Sequence, residues 1–91
     1  MAIGLLFDGV GVSQDQYEQV FNEVTNHGTE RVPGMLSHHA GPTEGGFCVI
    51  ETWASQEALE QFFSGQGGQA LAAAGIQGQP KTFEIVNSIQ G

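Results

Sequence analysis

Positive charge is almost missing from this chain. Arg31 and Lys81 stand against ten Asp and Glu, a formal net charge of −8, and two isolated cations cannot line a phosphate backbone or an anionic lipid surface. Nucleic acid and membranes are therefore excluded as expected partners. Cys48 is the sole cysteine, so no intrachain disulfide can form and no cysteine pair can hold zinc. No apolar run approaches the roughly 18 residues of a membrane-spanning helix, and no basic stretch precedes a long apolar one near the start. A soluble, cytoplasmic protein is the expectation.

What is present is enough for one modest core. The 91 residues form a single domain, 1–91, and 40% hydrophobic with only 13% charged residues is not the composition of a disordered chain. Scaling of surface with mass predicts roughly 5,100 Å² of accessible surface once folded. Several of the fourteen glycines fall where turns and helix ends are expected.

Ile3, Leu5 and Phe7 alternate with Gly4, Leu6 and Asp8, the period-two pattern of a strand over 2–8. Ser13 stands three residues before Gln16, a capping box, and Tyr17, Val20, Phe21 and Val24 follow at helical spacing, predicting a helix over 14–27 that stops near Gly28. Pro33-Gly34 is a turn, after which Met35 to Ala40 reads as strand two. Phe47 to Trp53, rich in β-branched and aromatic residues, is strand three, so these two strands form a hairpin across the six residues 41–46. Ser55 caps a second helix carrying Ala58, Leu59, Phe62 and Phe63, which breaks at Gly65-Gln66-Gly67-Gly68 and continues as a short segment over 69–74. Residues 82–89 alternate as strand four.

The order β-α-β-β-α-β predicts an α+β, ferredoxin-like fold with both helical regions on one face of a four-stranded antiparallel sheet. So short a chain cannot cover the other face, and an open apolar sheet face in water is a large exposed patch. A homodimer through that face is the expected remedy.

The stretch Pro33-Gly34-Met35-Leu36-Ser37-His38-His39-Ala40-Gly41-Pro42, with Gly45-Gly46-Phe47 and Glu51-Thr52-Trp53-Ala54-Ser55 after it, resembles the antibiotic biosynthesis monooxygenase-like (ABM-like) family. The resemblance implies two such chains paired sheet to sheet as a dimeric α/β barrel, with a pocket for a small hydrophobic or aromatic ligand between sheet and helices in each protomer. That superfamily includes cofactor-free oxygenases, haem degraders, isomerases and dehydratases, so fold does not decide function. One reading is a cofactor-independent monooxygenase, or related isomerase or cyclase, acting on an aromatic or polyketide-like substrate. The alternative is a non-catalytic ligand-binding or interaction module. Haem-degrading relatives carry a tryptophan and a histidine on the second helical region. Here His27, His38 and His39 all precede Trp53, and the helix carries Gln61, so no haem or other cofactor is expected.

Among the candidate residues, His38 and His39 are neighbours on a strand and point to opposite faces. They cannot chelate together, and no metal site is expected. The assumed hairpin loop places His38 opposite Val49, on one face with Glu51 and Trp53, and leaves Glu51 diagonal to His38 at about 7 Å. His38 with Glu51 is the candidate catalytic pair, the carboxylate setting the tautomer of a histidine that serves as general base or hydrogen-bond donor. A structural histidine is the competing reading. Trp53, Phe47, Tyr17 and Phe62 are the candidate ligand-binding residues, although Trp53 at a strand end also fits plain core packing, and Phe47, Phe62, Phe63 and Phe83 fit either core or pocket wall. Cys48 reads as an inert mid-strand thiol.

Overall fold

A computed structural model describes residues 1–90. The strands are β1 (Ile3–Val10), β2 (Met35–Thr43), β3 (Gly46–Trp53) and β4 (Lys81–Glu84), and the helices are α1 (Gln14–Thr25), α2 (Gln56–Ser64) and α3 (Gln66–Ala73). The sheet is antiparallel throughout in the order β2-β3-β1-β4, the ferredoxin-like arrangement.

The helix ends follow the local chemistry. Ser13 Oγ accepts from the Gln16 amide at 3.1 Å while the Ser13 amide donates to Gln16 Oε1 at 2.9 Å, closing both halves of the capping box. At the other end α1 stops at Thr25, two residues short of the expected 27, because Asn26, His27 and Gly28 all take positive φ angles. The Thr25 hydroxyl secures this turn, donating to the Phe21 carbonyl at 2.6 Å and accepting from the Gly28 amide at 2.8 Å. Ser55 caps α2 through the Ala58 amide at 3.1 Å.

The β2–β3 hairpin is tighter than the sequence predicts. β2 runs through Gly41-Pro42 to Thr43, which pairs with Gly46, so Glu44-Gly45 alone forms the loop, with Gly45 at φ +84°. Pro42 is tolerated because β2 is an edge strand. The pairing therefore moves by two residues from the expected one, and His38 lies opposite Glu51 rather than Val49. A shift of two preserves the face of every side chain.

Strand four is shorter than expected, 81–84 instead of 82–89. Its pairing runs from Leu6 back to Ile3, the Ile85 amide reaches the Ala2 carbonyl at 2.9 Å, and the partner strand ends there. Val86 and Ile89 are exposed accordingly.

Ile3 and Leu5 on β1, Trp53 on β3, Leu59 on α2 and Val32 form the buried core. The opposite sheet face is bare: Leu6 and Ile50 sit side by side on the two central strands, 39% and 53% exposed. Phe83, expected in the core or pocket wall, lies on this open face over Gly4, where a Cβ would run into its ring. The chain exposes 6171 Å², clearly above the roughly 5,100 Å² its mass predicts.

Candidate active site

Helix α1 is amphipathic yet buries no residue completely. Its apolar stripe, Tyr17, Val20, Phe21 and Val24, instead forms one wall of a cavity of about 840 Å³ whose floor is the inner face of β1 and β3 and whose far side is α2 and α3. Leu5, Phe7, Phe47 and Phe62 make the lining largely apolar. Arg31 lies at the edge beside Glu30.

Tyr17, His38, Glu51 and Trp53 form one connected line of polar groups. Pairing across β2 and β3 sets His38 against Glu51, and His38 Nδ1 lies 2.8 Å from Glu51 Oε2. Trp53, two residues along β3 and on the same face, donates its indole N–H to Glu51 Oε1 at 2.9 Å. From α1, the Tyr17 hydroxyl meets His38 Nε2 at 2.6 Å. Both oxygens of the buried carboxylate and both nitrogens of the imidazole are thus engaged, and among the described residues no buried side-chain polar atom lacks a partner.

Directions follow from the chemistry of the groups. A carboxylate only accepts, so His38 carries its proton on Nδ1, and in the neutral ring Nε2 accepts the Tyr17 proton. Packing holds the line in place: the Tyr17 ring stacks on Phe47 with centroids 4.8 Å apart and on His38 at 5.8 Å, and Phe21 reaches His38 at 6.3 Å. Burial pushes the Tyr17 phenol above its ordinary range, and the negative charges of Glu51 and Glu18 push it the same way. Tyr17 is thus held protonated, as a donor to His38 must be.

Of the residues singled out from sequence, His38, Glu51, Tyr17, Phe47 and Phe62 all lie on the cavity wall. Trp53 does not; it is fully buried between Phe62 and Phe63 and reaches the site only through Glu51. The Tyr17–His38 bond was not anticipated. Its signal was a lone tyrosine in an otherwise apolar helical stripe, since a half-buried hydroxyl takes a partner. His39 faces the open side of the sheet opposite Ile50, and among the described residues no cluster of three potential metal ligands occurs. No helix is long and apolar enough to cross a membrane among those residues.

The sequence profile described as antibiotic biosynthesis monooxygenase matches residues 12–74. No curated protein sequence matches the chain. Among solved structures, a protein provisionally assigned as an antibiotic biosynthesis monooxygenase from Chloroflexus aurantiacus superposes with a TM-score of 0.68 at 16% identity, covering 99% of this chain and 98% of that one. A mutant of SnoaB, a cofactor-independent oxygenase from Streptomyces nogalater, gives 0.64 at 14% identity over 99% and 96% of the two chains. A mutant of MhuD with two manganese protoporphyrin IX molecules bound per active site gives 0.60 at 22% identity over the whole of both. At these identities the likeness is one of fold.

Proposed function

The chain belongs to the antibiotic biosynthesis monooxygenase family, and we propose that it is a cofactor-independent monooxygenase acting on an aromatic or polyketide-like molecule with an acidic proton. The observation that carries this reading is the His38–Glu51 pair on the wall of an apolar cavity of about 840 Å³. His38 accepts the substrate's proton, and Glu51 stabilises the imidazolium that results. The carbanion or phenolate so formed passes one electron to dioxygen, and the radical pair joins at carbon as a peroxide anion, which recovers the proton from His38. Loss of water then leaves a carbonyl, so a CH₂ group and O₂ become C=O and H₂O with no external reductant.

Haem chemistry fits these residues poorly. The only imidazole on the cavity wall has both nitrogens bonded within the protein, which leaves no free imidazole as an axial donor. Two copies joined through the bare face around Leu6 and Ile50 form the proposed assembly, in keeping with the surface exposed beyond what the mass predicts.

Anthrone, a tricyclic ketone whose enol is an acidic phenol, provides the test. The protein should consume oxygen and yield anthraquinone, and His38→Gln should slow this by about 10²-fold or more. Equal rates for the two proteins would remove His38 from the reaction and overturn the reading.

A further inference from the structure

In this fold both ring nitrogens of His38 are engaged before any ligand arrives. Nδ1 gives its proton to Glu51, Nε2 accepts from Tyr17 at 2.6 Å, and the rings of Tyr17 and Phe21 flank the imidazole. A hydroxyl oxygen that donates its one proton keeps two lone pairs for acceptance. At this end of the cavity the ligand therefore finds the Tyr17 oxygen as acceptor, backed by an imidazole that can take the tyrosine's own proton. We propose that Tyr17 is a catalytic residue, the group that receives the ligand's proton and relays it to His38, and that the ligand presents an acidic aromatic or enolic hydroxyl to it.

The inference rests on His38 being the final proton acceptor. The ligand's O–H bond breaks as a new O–H bond forms at Tyr17 Oη, and the original Tyr17 O–H bond breaks as an N–H bond forms at His38 Nε2. The products are a ligand anion, a neutral tyrosine and an imidazolium against the Glu51 carboxylate; no electrons change hands. Tyr17 is neutral before and after, which agrees with the burial and the carboxylates that hold its phenol protonated. The same surroundings select the ligand. A carboxylate would arrive without a proton to give and would meet the Glu51 charge behind His38, whereas a neutral hydroxyl on a flat apolar body matches the Phe7, Phe21, Phe47 and Phe62 walls.

A chromophoric acid separates relay from direct transfer. 4-Nitro-1-naphthol develops a visible band only as its anion. Mixed with the protein below its own solution pKa, it should show that band with the wild type and lose it with His38→Gln. With Tyr17→Phe the band should also be lost while the naphthol still binds, because the hydroxyl that receives the proton and then donates to the ligand anion is gone. If Tyr17→Phe keeps or strengthens the band, the proton goes straight to His38 and the relay is overturned while His38 remains the base. Failure of the wild type to bind or ionise the naphthol overturns both. Should Tyr17→Phe not fold, nuclear Overhauser contacts in the wild type decide. Contact between the naphthol's hydroxyl-bearing edge and the Tyr17 ring supports the relay, and contact with the His38 ring alone rejects it.

Discussion

Trp53 gives its indole N–H to Glu51 Oε1 at 2.9 Å from a position with no solvent exposure. The largest fully buried side chain in the core thus also fixes the carboxylate that orients His38. Trp53→Phe would keep an aromatic ring between Phe62 and Phe63 but leave a buried carboxylate oxygen without its donor. A loss of about 2 kcal/mol in unfolding free energy is expected, measured by urea titration. A change below about 0.5 kcal/mol would show that water takes over the indole's place.

Glu51→Gln replaces one acceptor oxygen by an amide donor. With Trp53 still donating to the amide oxygen, the NH₂ group faces His38 Nδ1, and the ring must move its proton to Nε2 to accept it. Nitrogen NMR of the histidine ring should show this change of tautomer. The variant should lose most of the activity while remaining folded, as an imidazole in the wrong tautomer cannot accept from Tyr17. An unchanged tautomer would mean that Glu51 does not set it.

Tyr17 is the only tyrosine, so tyrosinate absorbance reports this group alone. With its folded-state pKa raised above the ordinary 10.0, the folded protein holds the proton more tightly than the unfolded chain. The resulting stability is fully present below pH 10.0 and is lost as pH rises through the folded value. In the native protein the tyrosinate band should appear at higher pH than in urea. Tyr17→Phe should also show a shallower alkaline loss of stability than the wild type. Coincident native and denatured titrations would contradict the burial argument.

Gly34 and Gly45 have nearly the same positive φ, +83° and +84°, in different surroundings. A Cβ at Gly45 would meet open space, whereas one at Gly34 would collide with the Cβ of Ala58 on α2. Gly45→Ala should cost about 1 kcal/mol for backbone strain alone. Gly34→Ala should cost at least about 1 kcal/mol more, because strain and overpacking combine. Equal costs in denaturant titrations would show that α2 yields freely at this contact.

The bare sheet face predicts a dimer. Light scattering should give twice the 9.6 kDa chain mass, and Ile50→Lys, which places a charge beside Leu6 on the central strands, should give the monomer with the fold intact. A wild-type monomer at micromolar concentration would rule out the sheet-to-sheet assembly.

The order of elements, the caps at Ser13 and Ser55, and the face that Glu51 shares with Trp53 on one strand were determined by sequence alone, because each is local or depends only on the two-residue repeat of a strand; that His38 joins them depends on the pairing of two strands. Register is different. The expected six-residue hairpin loop and the observed Glu44-Gly45 turn differ by two residues in pairing, which left the face unchanged but turned a diagonal neighbour into the direct partner. Period cannot distinguish such pairings; only the close fit of the whole ladder does. Strand four ended at Glu84 because β1 offered no partner beyond Ala2, a fact of pairing invisible in the alternation of residues 82–89. Tyr17 marks the clearest division. Its place in the apolar stripe of α1 was set by helical spacing, but its hydroxyl meets His38 across 21 positions of chain. That meeting depends on how far above the sheet the helix is held, and only tertiary packing sets that height.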